Sequence, residues 1–209
     1  MLTEERKSHW ESIYTTKQPT EVSWYQNEPI TSLELIKELN LPKSAKFFDN
    51  GGGDSFFVDN LLRLGFENIT VQDISEVALE KTKKRLGKDA DKINWIVDDE
   101  ACCNPTDQYD VWHDRAAFHF LTEDDEIKNY VNTISKCIKP DGHLIIATFS
   151  ERGPLKCSGL FIKQYSEASM TKLLQNSFIK ENCFTTDHHT PFNTTQNFLF
   201  CTFRRKQNE

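Results

Sequence analysis

Polar and acidic side chains follow four apolar, strand-like runs of this chain, and together they could bind a polar ligand. Each run ends in such residues: Asp49, Asp73, Asp98 with Asp99, and His113 with Asp114. An aspartate after a single strand often only starts a turn. The carboxyl ends of parallel strands, however, meet at one edge of a sheet, and open α/β sheets bind their ligands there. The repeated pattern therefore predicts a binding rim rather than four unrelated turns.

The glycine-rich segment DNGGGDS, which follows the first strand-like run, indicates which kind of ligand this rim binds. Gly51 and Gly53 let the backbone approach a ligand closely because they have no side chain. The segment does not match the dinucleotide fingerprint G-x-G-x-x-G, since Phe56 stands at the third glycine position, and no GK[ST] motif follows. Asp49 and Asp54 would also place two negative charges where a pyrophosphate would lie, so a cationic nucleoside without phosphates is favoured.

Three acidic positions suit the polar parts of such a nucleoside. Asp49 could orient an ammonium group, directly or through water. Asp73, 24 positions later, is placed for hydrogen bonds to ribose hydroxyls. Asp98 or Asp99 could accept a hydrogen bond from an adenine amino group. S-adenosylmethionine combines these features, so we predict it as the cofactor and assign Ile74, directly after the ribose aspartate, to the same site.

An alternation of strand-like and helix-like segments must position these residues. We predict helices at 3–14, 31–39, 55–64, 76–86, 124–138 and 166–174, and strands at 45–49, 69–73, 93–97, 109–113, 143–149, 178–186 and 196–204. Thr31 or Ser32 would cap the second helix. The triplet PDG at 140–142 would form a turn, and HHTPFNTT would close a hairpin between the last two strands. This alternation predicts a parallel sheet with helices on both faces.

Five segments in this order resemble the class I S-adenosylmethionine-dependent methyltransferases: DNGGGDS, VQDISEVALEK, WIVDDEA, YDVWHDRAAFHFL and IKPDGHLIIATF. The resemblance covers residues 45–203. It implies a Rossmann-like α/β fold with a seven-stranded, mostly parallel sheet that ends in a C-terminal antiparallel β-hairpin. The chain departs from the family pattern at Ser55, where D/E-x-G-x-G-x-G ends in glycine, and at Asn50, where the strand usually stays apolar. Serine is tolerated at a helix start, so the resemblance still implies cofactor binding.

A narrower resemblance concerns the methyl acceptor. The segment YDVWHDRAAFHFL followed by DDEIKNYVNTI is similar to the fourth-strand region of thiopurine-methyltransferase-like enzymes, and Trp10 and Trp24 match their cofactor-covering N-terminus. The same N-terminal pattern, HWESIY and then VSWYQ, also occurs in methyltransferases related to protein-lysine enzymes. The acceptor class therefore stays open between a small molecule and a protein.

The segment WHDR at the end of the fourth strand holds the residues predicted to face the acceptor. Asp114 is the first candidate for a catalytic residue, since the fold places its reaction centre just past this strand; it could instead pair with Arg115 or cap a turn. Arg115 could clamp an anionic substrate group, or belong to an ion pair. His113 would lie beside the cofactor, or could instead be a satisfied histidine at the strand end. His119 is a second catalytic candidate, as a base or substrate contact, and could instead be a core histidine.

Two aromatic residues, Trp24 and Tyr25, lie in a polar loop, where they would be costly to expose. We predict that residues 1–40 form an N-terminal lid segment and that residues 41–209 form the cofactor-binding core of the same single domain. Trp24 would cover the cofactor, exclude water and contact the cationic sulfonium, and Tyr25 would contact the substrate. The alternative is that both rings pack onto the edge of the sheet.

The composition describes one acidic globular domain. The 209 residues carry a net charge of −7 and are 37% hydrophobic, which suits one domain with a proper core. The chain has no dense Lys/Arg block and no apolar run of membrane-spanning length, so we expect no nucleic-acid or membrane partner. The N-terminus lacks the apolar core of a signal peptide. We therefore expect a cytoplasmic monomer or weak dimer with its six cysteines as free thiols, and no metal site.

Three functions fit these residues. The first is a methyltransferase that modifies sulfur, selenium or nitrogen of a small molecule. The second is a protein-lysine N-methyltransferase, and the third is a cofactor-binding regulatory protein without catalysis. A closed pocket under the lid segment would favour the first and an open groove the second, whereas only an activity screen separates the third.

Overall fold

The computed structural model describes residues 3–207 and contains nine strands and six α-helices within that range. The strands are β1 (Lys46–Asn50), β2 (Asn68–Asp73), β3 (Ile93–Val97), β4 (Tyr109–Arg115), β5 (Ile138–Phe149), β6 (Lys156–Cys157), β7 (Leu160–Phe161), β8 (Phe178–His189) and β9 (Thr195–Arg205). The helices are α1 (Thr3–Thr16), α2 (Ile30–Glu38), α3 (Phe57–Arg63), α4 (Glu76–Leu86), α5 (Asp124–Cys137) and α6 (Glu167–Leu174).

Seven strands form one sheet in the order β3-β2-β1-β4-β5-β9-β8. The first five strands pair in parallel, whereas β9 is antiparallel to both β5 and β8. This arrangement confirms the predicted Rossmann-like α/β fold. Because β1 and β4 are neighbours at the centre of the sheet, their carboxyl ends place Asp49 beside His113 and Asn50 beside Asp114.

Alternating side chains of the central strands build a separate core on each face of the sheet. Phe47 and Val111 pack with α2, α3 and α4 on one face, and Phe48 and Trp112 pack with α5 and α6 on the other. The rings of Phe48 and Trp112 stack with centroids 3.9 Å apart. Burying one such side chain contributes about 1.5–3 kcal/mol, so these cores hold the central strands and their polar ends in place.

Two local predictions in the backbone are wrong. Helix α2 begins at Ile30 after Pro29, so neither Thr31 nor Ser32 is its cap, and Ser32 is buried in the first turn. The PDG triplet at 140–142 lies inside β5 instead of forming a separate turn. There, Asp141 has a φ of +63°, and the β4–β5 register shifts between Tyr109 and Val111. Residues on both sides of the triplet still pair with β4, so β5 continues through this irregularity as one strand.

The C-terminal region also differs from the predictions. Strands β6 and β7 form a small hairpin that was not predicted, and it buries Cys157. Strand β8 continues through both histidines of HHTPFNTT, so the turn is confined to Thr190–Thr194. Cys183 and Cys201 occupy paired positions in β8 and β9 and form a disulfide, so the free-thiol prediction is wrong for these two. The other four cysteines are free.

None of the helices within residues 3–207 is long and apolar enough to cross a membrane. No group of three or more His, Cys, Asp or Glu side chains in the same range could hold a metal ion.

Candidate functional site

The glycine segment after β1 is packed so tightly that side chains would not fit. Gly51 has a φ of +63°, and a Cβ there would lie 2.4 Å from the Cβ of Ala117. Gly53 has a φ of +44°, and its Cβ would lie 2.7 Å from the hydroxyl of Tyr14 and 2.9 Å from a carboxyl oxygen of Asp73. Both positions therefore require glycine for its backbone conformation and for space.

Gly52 has a role that the sequence did not indicate. A Cβ on Gly52 would lie 2.6 Å from Oδ2 of Asp49 and 2.6 Å from a methyl group of Val71. The absence of a side chain at this position thus makes room for the Asp49 carboxylate. The only signal for it in the sequence is that the run contains three consecutive glycines instead of two.

The Asp49 carboxylate is buried and only half satisfied. Its residue is 3% exposed, and Oδ1 lies 2.7 Å from Nδ1 of His113. Oδ2 has no hydrogen-bond partner among the described residues. An unpaired buried carboxylate oxygen is costly, which makes this atom a natural acceptor for a ligand's donor group.

At the end of β2, the buried Asp73 carboxylate faces the same space. Its Oδ1 accepts a hydrogen bond of 2.8 Å from the backbone N–H of Ser75. Burial raises the pKa of Asp73 to about 7; the Ser75 bond opposes this rise, and the negative charges of Asp49 and Glu11 add to it. The neighbouring Ile74 lines the same space.

After β3, the structure separates three consecutive acidic residues. Asp99 accepts two hydrogen bonds of 2.7 and 2.8 Å from Arg6 of α1, and Asp98 accepts one of 2.8 Å from the backbone of Asp99. Glu100, which sequence reasoning missed, lines the cavity beside Asp73. Burial, followed by the charges of Asp114 and Asp99, raises the pKa of Glu100 well above its usual value.

Two adjoining cavities lie over these strand ends. The glycine-loop cavity, about 720 Å³ including its open mouth, is lined by Asp49, residues 50–52 and 54–57, His113 and part of the lid segment. The Asp73 cavity, about 510 Å³ on the same basis, is lined by Asp73, Ile74, Glu100, Phe120 and Cys157 among others. Four residues line both cavities: Tyr14, Trp24, Gly51 and Arg115.

Within residues 10–29, part of the predicted lid segment lines these cavities, and backbone carbonyls of this stretch accept hydrogen bonds from the rest of the chain. The Trp24 ring contacts Trp10 and Tyr14, with centroids 5.7 and 6.4 Å apart. Nη1 of Arg115 donates to the Trp24 carbonyl at 3.1 Å, and Nε2 of His188 donates to the Ser23 carbonyl at 2.7 Å. His188 was predicted only as part of a polar turn.

Tyr25 and helix α1, which belong to the predicted lid segment, also contact the rest of the chain. The ring of Tyr25 packs edge-on against Phe56, with centroids 6.0 Å apart. Glu11 of α1 accepts hydrogen bonds from the hydroxyl of Ser75 and from the backbone of Glu76 and Val77, at 2.8–3.2 Å. Glu11 thereby satisfies free N–H groups at the start of α4. No pattern in the sequence pointed to Glu11 or Arg6.

The two predicted catalytic residues lie beneath the cavities rather than in their walls. Asp114 is fully buried and accepts hydrogen bonds from Asn50, Tyr130 and the backbone of Ala117 and Phe118, at 2.7–3.2 Å. Burial raises its pKa, and these bonds oppose the rise. For His119, burial and the nearby Arg115 charge lower the pKa to about 3, and Nδ1 accepts a bond from the backbone of Phe149.

Arg115 combines a positive charge with an incomplete set of partners. Within residues 3–207 it has no carboxylate within salt-bridge distance, and Nη2 has no hydrogen-bond partner. Its guanidinium carbon lies 5.2 Å from the ring centroid of Phe198. Burial lowers its pKa to about 10, so the group remains a cation at neutral pH.

Comparisons with known proteins agree with this geometry. A family model described as a methyltransferase domain matches residues 48–144. The EEF1A lysine methyltransferase 2 of Danio rerio is 30% identical over 159 residues, which is 68% of this chain and 67% of that protein. The chain belongs to the class I S-adenosylmethionine-dependent methyltransferases. Its cofactor is S-adenosylmethionine. The Mus musculus protein of the same name is 26% identical to this methyltransferase over 68% of the chain and 64% of its own length.

Solved structures share the fold of the methyltransferase over nearly its whole length. The N-methyltransferase NodS from Bradyrhizobium japonicum, in complex with S-adenosylhomocysteine, has a TM-score of 0.71 and 15% identity over 98% of this chain and 99% of that one. A Burkholderia thailandensis 1,6-didemethyltoxoflavin-N1-methyltransferase has a TM-score of 0.71 and 17% identity over 99% and 92% of the two chains. At these identities the likeness shows the fold alone. The two relatives named above are lysine methyltransferases, so they do not support the narrower thiopurine-methyltransferase resemblance.

Proposed function

We propose that this methyltransferase acts on a small molecule that carries a soft nucleophilic heteroatom and an anionic group. The observation that carries the proposal is Arg115, a cation without a carboxylate partner among the described residues, in the wall of both cavities. A buried guanidinium is stabilised by an anion that it can bind in a bidentate manner. Residues of the predicted lid segment line both cavities beside Arg115, which suits a small acceptor better than a peptide.

The described residues fit the cofactor at the assigned positions. Oδ2 of Asp49 would accept the ammonium group, the Asp73 carboxylate would bind the ribose hydroxyls, and Ile74 would pack beside the nucleoside. Gly51 and Gly53 would let the backbone approach, and the Trp24 ring would shield the site from water. When bound, S-adenosylmethionine supplies an activated methyl group for in-line displacement. The assignment of the adenine amino group to Asp98 or Asp99 stays a prediction.

An acceptor with a soft nucleophile is favoured because neither of the two residues predicted as a catalytic base lines the cavities. Asp114 and His119 are not in the walls of the two cavities. We propose that Asp114 instead positions Asn50 and the backbone turn at 117–118, through the bonds described above. A thiol or selenol is readily deprotonated and needs little base catalysis, unlike an amine or an alcohol.

A protein lysine is the second candidate acceptor. It is favoured by the curated relatives, which are named as EEF1A lysine methyltransferases, and by Glu100. The Glu100 carboxyl group lines the Asp73 cavity and its raised pKa suits a base that accepts the proton of an ammonium group. Aromatic rings of the lid segment could in addition contact a lysine side chain.

An acceptor screen tests these proposals. Purified enzyme and radiolabelled S-adenosylmethionine are incubated with thiols, selenols and amines, each in a neutral and a carboxylate-bearing form, and in parallel with purified EEF1A and a whole-cell protein extract. Preferential methylation of carboxylate-bearing thiols or selenols would support the first proposal. Labelled protein that is lost in Glu100→Gln would overturn it in favour of the second. Saturable cofactor binding with no labelled acceptor would favour the regulatory alternative.

Replacement of Arg115 by Gln should raise the KM for an anionic acceptor about 10–100-fold, because the variant loses a charge-assisted hydrogen bond. The kcat should change much less, since Arg115 is assigned to binding rather than to chemistry. Steady-state kinetics with matched anionic and neutral acceptors measures this, and the neutral acceptor should show little change in KM. Equal increases for both acceptors would contradict the proposed anion contact.

The affinity for S-adenosylhomocysteine should rise with pH through Asp73. Because its pKa is raised to about 7, Asp73 keeps its proton below that pH and becomes a carboxylate above it. The groups that face it are Tyr14 and Glu11 of α1, Asp49 of β1 and Glu100 after β3. If ribose binding needs the carboxylate, affinity should increase about 10-fold from pH 6 to pH 8. Calorimetry should show this slope in the wild type and a flat profile in Asp73→Asn; a flat wild-type profile would contradict the assignment.

A further inference from the structure

Three buried side chains form a hydrogen-bonded chain that ends at the Asp49 carboxylate. Oγ of Ser32 lies 2.9 Å from Nε2 of His113, and Nδ1 of His113 lies 2.7 Å from Oδ1 of Asp49. The exposed fractions of these residues are 1%, 3% and 3%, respectively. They come from α2, β4 and β1, so the chain crosses from a helix of the lid segment to the centre of the sheet.

The imidazole of His113 is fixed in its orientation. The ring of Phe57 stacks on it, with centroids 3.9 Å apart and planes 24° apart. His113 is also the direct neighbour of Asp49 in the parallel pairing of β1 and β4. Packing and backbone pairing therefore leave the ring little freedom to turn away from its two partners.

The hydrogen-bond chemistry gives the chain a direction. An ionised carboxylate only accepts, so the proton lies on Nδ1 of His113 when Asp49 is charged. In the neutral imidazole Nε2 then accepts a hydrogen bond from the Ser32 hydroxyl, which fixes this tautomer. The hydrogen bond from His113 thus occupies Oδ1 of Asp49. Oδ2, which has no partner among the described residues, remains for a ligand.

The same three residue types form the nucleophilic triad of many hydrolases, but the burial of Ser32 argues against that role here. Ser32 lies inside the first turn of α2 and is not in the wall of the two cavities. Its hydroxyl therefore has no route to a substrate. The chain suits the positioning of the carboxylate instead.

We propose that Ser32 and His113 are positioning residues, which hold Asp49 so that its free oxygen faces the ammonium group of the amino-acid part of S-adenosylmethionine. Outer partners that orient a carboxylate or a histidine fix the geometry of a site although they do not touch the ligand. The inference rests on the proposed contact between Asp49 and this ammonium group.

The test compares two ligands by isothermal titration calorimetry. S-adenosylhomocysteine has the amino-acid part, whereas 5′-methylthioadenosine keeps the nucleoside thioether and lacks it. We expect Ser32→Ala to weaken S-adenosylhomocysteine binding about 3–10-fold and His113→Phe about 10–100-fold, with 5′-methylthioadenosine changed less than about 2-fold. Phenylalanine keeps the stacking on Phe57, while His113→Asn keeps a donor near the Nδ1 position and should recover most of the affinity.

Asp49→Asn separates the inference from the site assignment on which it rests. If Asp49→Asn leaves S-adenosylhomocysteine affinity unchanged, the proposed ammonium contact fails and the inference fails with it. Suppose instead that Asp49→Asn selectively weakens S-adenosylhomocysteine binding. If Ser32→Ala and His113→Phe then bind both ligands with wild-type affinity, or lose affinity equally for both, only the inference is overturned.

A spectrum of the unliganded protein gives a second readout, which holds even where a histidine variant does not fold. The ¹⁵N imidazole spectrum of the wild type should show a protonated Nδ1 and an unprotonated Nε2 for His113. The Nε2 signal should move in Ser32→Ala. A wild-type spectrum with the proton on Nε2 and none on Nδ1 would overturn the proposed direction of the chain.

Discussion

Gly51→Ala should lower the affinity for S-adenosylhomocysteine by about 100-fold or more and reduce the free energy of unfolding by about 2–4 kcal/mol. The added Cβ would lie 2.4 Å from the Cβ of Ala117, at a φ of +63°. Ala117 belongs to the turn after β4 whose backbone is held by the Asp114 carboxylate, so it cannot move without breaking a buried bond. The glycine loop must then shift away from β4 and into the space assigned to the cofactor.

Gly87→Ala is the matched control for this prediction. Gly87 has a similar φ of +58°, but a Cβ there would meet no atom within 4 Å. It should therefore show only the backbone cost, about 1–3 kcal/mol in urea unfolding, and bind S-adenosylhomocysteine normally in calorimetry. Equal effects of the two substitutions on stability and affinity would mean that the backbone conformation, and not the contact with Ala117, makes glycine necessary at position 51.

The sequence predicted the fold well where local signals and long-range packing agree. Helix α4 and strand β3 have the predicted bounds, since Ser75 caps the helix through the N–H of Ala78 and Gly87 follows its end. The prediction failed at PDG, where turn-forming residues are overridden by pairing of β5 with β4. It also missed the disulfide, because the pairing register of β8 with β9 brings Cys183 and Cys201 together and composition cannot give that register.

The candidate site was predictable only in part, for a similar reason. Asp49 and Asp73 stand out because each ends an apolar run beside a glycine turn or a helix cap. Ser32 and Arg6 do not, since their partners lie 81 and 93 positions away and only the folded chain brings them together. We predicted Asp98 or Asp99 instead of Glu100, because the end of a strand alone does not show which of three consecutive acidic side chains faces the cavity.

Arg6→Ala should detach helix α1 from the cofactor site. Arg6 is the only fully buried side chain of this helix within the described residues, and it pairs with Asp99 at 2.7 Å and with Glu126 at 2.6 Å. Removing one member of a buried ion pair leaves the remaining charges uncompensated and costs roughly 3–5 kcal/mol. Hydrogen exchange should therefore show loss of protection across α1, and the affinity for S-adenosylhomocysteine should fall because Glu11 and Tyr14 of this helix leave the site.

Two further variants identify the buried charge as the cause. Lys92→Ala breaks an exposed pair with Asp89 and should cost less than about 1 kcal/mol. The double variant Arg6→Met with Asp99→Asn removes the charges of Arg6 and Asp99 and leaves only the less buried Glu126 charged. It should be more stable than Arg6→Ala alone, since the larger part of the cost is the unpaired Asp99 carboxylate. If Arg6→Ala is as mild as Lys92→Ala, the half-buried rings of Trp10 and Tyr14 hold the helix instead. A buried ion pair of this kind fixes the position of α1 relative to the binding rim that carries Asp99. Apolar contacts alone are less directional and would let the helix slide along the edge of the sheet.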